Sequence, residues 1–295
     1  MDSALTAVGL PVALAVIMFG LGLSLTPGDF ARVTRYPRAA VVALTCQLVV
    51  LPLVCFGLVL LLDLDPVLAV GMMLLAASPG GTTANLFSHL FRGDVALNIT
   101  LTAVNSVIAV FTLPVVTNLA FAYFEPDGAE TIGLQVVETL QIFAIVLIPV
   151  AIGMLVRSRS LSFAQRMDRP IRIASAVILA VLVLGILVSE RDNVAGYLQE
   201  LALVATVFCV ASLTIGYVVP RLFGVDRRQS IASSMEIGVH NGTLAIAIAE
   251  SVLSDVEGLA IPAAVYSLLM FPLATLAGLA ITRARQSVTL DGGAP

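Results

Sequence analysis

The chain has 295 residues, 59% of them hydrophobic and only 12% charged, with a mean hydropathy of +1.05. That charged fraction is about half the globular average, too little to solvate a soluble surface, so a soluble enzyme and a disordered protein are both excluded. The net charge is −4 and all 15 basic residues are arginines, with no basic face to neutralise phosphates, so nucleic acid is excluded as a partner.

A spanning helix needs ~20 apolar residues to cross ~30 Å of hydrocarbon. Runs of that length recur along the whole chain. They are continuous rather than alternating, which excludes a β-barrel. The pattern predicts an all-α polytopic membrane protein with nine transmembrane helices, at 4–26, 39–62, 66–90, 94–123, 132–156, 171–189, 200–220, 229–254 and 258–281. No stretch is left for a water-soluble domain, so residues 1–295 read as one transmembrane domain.

The first span lacks the basic leader of a signal peptide, since no arginine precedes Arg32. Arg32, Arg35 and Arg38 follow it instead. With the start of this span outside, alternating the loops puts 14 arginines inside and one, Arg191, outside. That bias predicts nine spans with the N-terminus outside and the C-terminus cytoplasmic, in the cell's inner (plasma) membrane. The outside loops are acidic instead, with Asp127, Glu130, Glu190, Asp192 and Asp255 among them. Cys46, Cys55 and Cys209 fall inside apolar runs and read as packing residues, with no disulfide framework or metal spacing.

The second span carries Gln47 at membrane depth. The third is interrupted near its middle by Ser78-Pro79-Gly80-Gly81-Thr82-Thr83-Ala84-Asn85. Pro79 removes a backbone donor and two glycines follow, so a helix cannot pass unperturbed. His89 stands near the inner end of this span. The fourth carries Asn98, Thr102 and Asn105, the first two sharing a helix face. The eighth contains Glu236-Ile237-Gly238-Val239-His240-Asn241-Gly242, again with glycines and polar groups in mid-span. Irregular backbone at this depth survives only where protein or a water-filled cavity surrounds it. Two broken helices in corresponding halves point to a secondary-transporter binding site. The third span runs inward and the eighth outward, so the halves, about 4–123 and about 132–281, read as inverted repeats.

Glu236 is the central residue of that reading. An ionisable group in mid-bilayer is costly unless it is paired or functional, and no arginine lies at its depth. A cation from solution can neutralise it, Na⁺ or H⁺. Gly238 and Gly242 loosen the helix, which frees the carbonyls of Ile237 and Val239 as further oxygen ligands of the kind hard cations take. His240 follows Glu236 by four residues, which on a helix puts both on one face. No further His or Cys completes a transition-metal set, and proton handling and a plain polar lining both stay open. Glu138 and Glu250 lie nearer helix ends and receive no role. The breaks also leave half-helix N-termini near the midplane, where their N–H groups favour an anion.

The run Pro79-Gly80-Gly81-Thr82-Thr83-Ala84-Asn85, then Arg92-Gly93-Asp94-Val95-Ala96-Leu97-Asn98 and Thr102, resembles the third-to-fourth-span signature of the bile acid:sodium symporter family. Glu236 to Gly242 resembles the family's second crossing segment. Ile17-Met18-Phe19-Gly20-Leu21-Gly22-Leu23 and Gln47 also match, and the resemblance covers about 11–282. Nine spans resemble the form that lacks a first helix, here in a bacterial homologue. The resemblance implies a panel of the first, fifth and sixth spans. It implies a core of the others, with the third and eighth crossing.

It further implies two sodium sites behind the crossing. The first maps onto Asn85, Asn98, Thr102 and Glu236, with Ala84 where a serine is usual. The second maps onto Gln47, Glu236, the carbonyls of Ile237 and Val239, and His240 where a glutamine is usual. Substrate would contact Thr82 and Asn241, with Thr83 beside them as a further candidate. Leu269, Met270 and Phe271 stand where polar residues are expected, which fits a more apolar substrate or simply a different one. An imidazole is a poorer ligand for hard Na⁺ than an amide oxygen.

Residues and resemblance together lead to a secondary active transporter rather than an enzyme. It would be sodium-coupled and import a small organic anion, bile-acid-like or a small carboxylate, by alternating access. Na⁺ is the coupling ion and no other cofactor is expected; the lipid bilayer is the remaining partner. The alternatives are a proton-coupled or uncoupled carrier of the same fold, a channel and, more distantly, an intramembrane enzyme. The last would need a nucleophile–base pair or a metal set, and neither is visible.

Overall fold

A computed structural model describes residues 3–126, 136–189, 194–253 and 256–291. Arg191, Asp127, Glu130, Glu190, Asp192 and Asp255, all read as outside-loop residues, lie outside the described residues, as does the Glu138 side chain. The described residues form helices: α1 (Ser3–Ser24), α2 (Pro27–Ala31), α3 (Pro37–Thr45), α4 (Leu51–Leu61), α5 (Pro66–Ala77), α6 (Thr82–Leu90) and α7 (Val95–Phe124) in the first half. The second half holds α8 (Val136–Arg159), α9 (Leu161–Ser189), α10 (Val194–Leu222), α11 (Arg227–Gly238), α12 (Gly242–Ser251) and α13 (Ile261–Asp291).

Among the described residues, five stretches are singly long and apolar enough to cross a membrane: Pro37–Leu61, Val95–Phe124, Leu161–Ile186, Gln199–Leu222 and Ile261–Arg283. Pro11–Ser24 with Pro27–Arg35 makes a sixth if the 68° bend between them is one broken span. Pro66–Ala77 and Gly242–Ser251 are shorter apolar helices, each one half of an interrupted span. Leu53, Leu119, Val181, Leu203 and Leu276 are exposed on the outside of the bundle. Lipid solvates such a surface and water does not. The chain is thus an all-α multi-pass membrane protein.

The helix ends follow local chemistry. Asp65 caps α5 by accepting from the Val67 N–H at 2.9 Å, and Pro66 opens the first turn without needing its own N–H. Pro79 ends it: a residue before proline avoids helical geometry, and Ser78 is extended at ψ 145°. Asp94 caps α7 through the Leu97 N–H, and Asp226 caps α11 through the N–H groups of Arg228 and Gln229. The second span is continuous except for one wide π turn, Cys46–Val50, in which the Leu51 N–H reaches back to the Cys46 carbonyl. Pro52 explains it, because proline offers no N–H to the carbonyl four residues back.

One boundary differs from expectation. The sixth span was predicted from 171, yet α9 starts at Leu161. Arg166, Arg169 and Pro170 therefore stand on a helix that extends past the apolar run rather than in a loop. α1 packs against α8, α9 and α12. Glycines let it approach closely: a Cβ at Gly22 would lie 2.2 Å from the Val150 carbonyl oxygen, and one at Gly153 would lie 2.3 Å from that of Phe19. Elsewhere α11 packs against α6, α7 and α10, and α5 against α7. This arrangement brings the two interrupted spans together at the centre.

Candidate functional site

The two interruptions satisfy each other. The Gly81 N–H donates to the Val239 carbonyl at 2.8 Å, and the Asn241 N–H donates to the Pro79 carbonyl at 2.8 Å. Gly80 and His240 thereby pair as an isolated antiparallel bridge. Backbone that leaves a helix inside a membrane must find partners in protein, and here each break supplies the other's. Asn241 also caps α12, its side-chain oxygen accepting from the Leu244 N–H at 3.1 Å. The N-termini of α6 and α12 therefore flank the bridge.

Behind the bridge lies Glu236, 2% exposed. Thr102, from α7, puts its hydroxyl 2.5 Å from Glu236 Oε2 and 3.0 Å from the Asn98 carbonyl. Glu236 Oε1 has no hydrogen-bond partner, and a Cβ on Gly80 would fall 2.3 Å from it. Asn98, one helical turn from Thr102, donates its amide nitrogen to the Ala232 carbonyl at 2.7 Å. Gln47, on the π turn, donates its own to the Ser78 carbonyl at 3.0 Å. An amide anchored through nitrogen has a fixed oxygen. Both oxygens, Asn98 Oδ1 and Gln47 Oε1, are buried without partners, as is Asn85 Oδ1 on α6. A buried polar atom without a partner costs about 1–3 kcal/mol. Gln47, Asn85, Asn98 and Glu236 thus each carry a buried oxygen without a partner, of the type a hard cation takes. Asn105, one turn beyond Thr102, has both amide atoms buried and unpartnered.

The remaining predicted residues are placed as follows. Ala84 is fully buried on α6 and offers no hydroxyl. Ile237 is the penultimate residue of α11, and the Val239 carbonyl accepts from Gly81. His240 does not share a helix face with Glu236, contrary to expectation. α11 stops at Gly238, so four-residue spacing no longer fixes the relative direction, and His240 sits in the bridge itself. His89 is exposed in the last turn of α6.

His240 belongs to a chain of bonds that sequence reasoning missed. The Tyr266 hydroxyl donates to the Gly238 carbonyl at 2.9 Å, and His240 Nδ1 lies 3.1 Å from the same hydroxyl. A phenol has one proton, and Gly238 receives it. In that arrangement Nδ1 carries the imidazole hydrogen and Nε2 is an acceptor; Nε2 is buried and unpartnered in either tautomer. Phe208 closes the other side of both rings. Tyr266→Phe should cost about 1–2 kcal/mol, since it removes the hydroxyl that Gly238 and His240 share and leaves the Gly238 carbonyl only the weak Cys209 thiol, 3.9 Å away. A melting temperature equal to the parent's would mean that this chain does not form.

Two cavities adjoin the crossing. The first, about 450 Å³, has a polar side formed by Thr82, Thr83, Asn241, Thr243 and Ser267, and an apolar side that includes Met18, Leu179, Val183, Met270 and Phe271. The apolar departures at Met270 and Phe271 thus face the chamber, whereas Leu269 does not line it. The second, about 470 Å³, lies on the α8 C-terminal side and is lined by Asn85, His89, Arg157 and Gln165, among others.

Helices broken and paired in mid-membrane, with orphan oxygens behind them and a chamber in front, define a polytopic carrier. The chain belongs to the sodium bile acid symporter family: the family model described as "Sodium Bile acid symporter family" matches residues 11–197. It is therefore a membrane transporter and not an enzyme. It is 28% identical over 260 residues to the "Uncharacterized sodium-dependent transporter YocS" of Bacillus subtilis, covering 87% of this chain and 77% of that one. It is 30% identical over 245 residues to the "Probable sodium/metabolite cotransporter BASS1, chloroplastic" of Arabidopsis thaliana, covering 81% of this chain and 58% of that one. It is 25% identical over 243 residues to the human "Ileal sodium/bile acid cotransporter", covering 82% and 68%. The chain thus spans under three fifths of the Arabidopsis protein's length.

Proposed function

We propose that this chain is a secondary active symporter that couples Na⁺ to the uptake of a small organic anion by alternating access. The observation that carries the reading is the set of orphan oxygens on Gln47, Asn85, Asn98 and Glu236 behind the Gly80–His240 bridge. In this reading Asn85, Asn98, Thr102 and Glu236 hold one Na⁺. Gln47, Glu236, the carbonyls of Ile237 and Val239, and His240 hold a second. With Na⁺ bound, the carboxylate charge is neutralised and the crossing can move as a unit. Thr82, Thr83 and Asn241, at the starts of α6 and α12, hold the substrate's acid group, which those helix N-termini favour. The apolar chamber wall takes the rest of the molecule.

The frame for this is one transmembrane domain of nine spans, with α1, α8 and α9 as a panel and the other helices as a core of inverted repeats. The relatives' printed names support the sodium coupling and the class of substrate. A stability screen tests the reading: organic acids should raise the melting temperature of purified protein more with Na⁺ than without, because only the native state binds them. Equal shifts with and without Na⁺ would remove the coupling. His240, standing where an amide is usual, favours a second reading, a proton-coupled carrier. Sodium and pH gradients imposed separately on proteoliposomes discriminate the two.

The topology makes a further prediction. With the first span starting outside in the plasma membrane and the C-terminus cytoplasmic, a single cysteine replacing Thr34 should react only with reagent on the cytoplasmic side. One replacing Asp63 should react only from outside. Reaction of both from the same side would refute the assignment.

A further inference from the structure

The second cavity holds a charge that the sodium scheme leaves unused. Arg157, near the end of α8, lines it together with His89 and Gln165. Among the described residues, no aspartate or glutamate lines either cavity. The Arg157 guanidinium is held in place, because Nη1 donates to the Leu23 carbonyl at the end of α1 at 2.8 Å. Its Nε is buried and has no acceptor, and among the described residues Arg157 forms no ion pair. Leu23 accounts for one donor of the five a guanidinium carries. The Nη groups carry further N–H donors, of the kind that bind a carboxylate by charge-assisted bonds.

An arginine that only marks the cytoplasmic side of the bilayer reaches into water and is solvated there. This one is half-buried, braced on the Leu23 carbonyl, and lines a chamber of about 470 Å³. The chamber adjoins the first cavity, with Ile17, Leu21, Thr82, Leu86 and Ser175 in the walls of both. The two chambers together reach from the crossing to a fixed positive charge at the α8 end.

We infer that Arg157 forms a second anion subsite, separate from the crossing, which takes the carboxylate of an amphipathic organic acid whose apolar body lies in the first cavity. The inference rests on the proposed transport of an organic anion for its biological meaning, and on the cavity alone for its chemistry. In a transport cycle this subsite would draw the acid group away from the crossing toward the α8 end of the protein. It would thus act as the release station.

The test uses the full chain in nanodiscs, with cholate and its uncharged methyl ester as probes in sodium-free buffer. The two share a rigid apolar body and differ in the acid group. The parent protein should bind cholate about tenfold more tightly than the ester, the scale of one charge-assisted contact. Arg157→Gln should bring the two within about twofold by weakening cholate alone, and Arg157→Lys should keep part of the preference. An equal loss of both ligands in Arg157→Gln would make Arg157 only a brace for α1 and overturn the subsite. An unchanged acid-over-ester ratio would overturn it too, as would a parent protein that binds neither probe. Sodium-driven uptake is measured separately. Its absence, with the ratio intact, would defeat the transport reading and leave the subsite standing.

Discussion

Glu236→Gln is expected to abolish sodium-driven uptake while leaving the protein folded in the membrane. The amide matches the carboxylate in shape, so packing behind the crossing is preserved. It can still accept from the Thr102 hydroxyl, which lies 2.5 Å from Glu236 Oε2. What it loses is the negative charge. Removing one partner of a desolvated charge pair costs about 2–5 kcal/mol, which corresponds to roughly a 30- to 4,000-fold loss of ion affinity. Because Glu236 is proposed to serve both ion sites, neither would survive. Stability should not fall and should rise slightly, since a neutral amide is cheaper to bury than an unpaired carboxylate. Uptake into proteoliposomes under a Na⁺ gradient and the melting temperature in detergent are the two measurements. Parent-level coupled uptake by the variant would remove Glu236 from the mechanism.

Gly80→Ala should be nearly as severe, by a different route. The added methyl would sit 2.3 Å from Glu236 Oε1 and 2.6 Å from the Glu236 carbonyl oxygen. One of those atoms is the side-chain tip of a proposed ion ligand, and the other is main chain in α11, which cannot yield cheaply. Overpacking of this kind costs about 1–3 kcal/mol. The strain must part α11 from the third-span break or turn the carboxylate away. Uptake should fall by more than an order of magnitude and the melting temperature should drop, in contrast to Glu236→Gln. An alanine variant with normal uptake and normal stability would mean that the bridge is looser than its two 2.8 Å bonds imply.

Much of this site was legible in the chain because the membrane makes polarity conspicuous. Pro79 with Gly80 and Gly81 marks the first break, and the helix stops within a residue of the proline. Gly238 and Gly242 bracket the second. Asn98 and Thr102 meet because α7 runs unbroken through them, so periodicity holds. The same periodicity failed at His240, since the helix that would have carried it beside Glu236 ends first. The start of α9 was misplaced for a related reason: Arg166, Arg169 and Pro170 read as loop, but a helix can run out of the bilayer and carry charge in its first turns. Tyr266 and Arg157 drew no attention because their meaning lies in partners far along the chain, the Gly238 carbonyl and the Leu23 carbonyl. The π turn under Gln47 could have been found, since Pro52 announces a missing donor one turn later.

The bridge at the crossing bears on how the chain is made as well as on how it works. Its two sides belong to opposite halves of the protein, and the contacts behind it, from Asn98 to Ala232 and from Thr102 to Glu236, each join residues 134 positions apart. During synthesis α5 and α6 reach the bilayer long before α11 and α12. Until then the Gly81 N–H and the Pro79 carbonyl have no partner, and a half-made molecule carries bare backbone in hydrocarbon at a cost of several kcal/mol per group. The early spans are therefore expected to wait in a water-accessible or chaperoned setting and to settle at depth only when Val239 and Asn241 arrive. A ribosome-stalled chain ending before 239 should then show a cysteine at Gly81 open to aqueous labelling, and one extended past the end of α12 should show it closed.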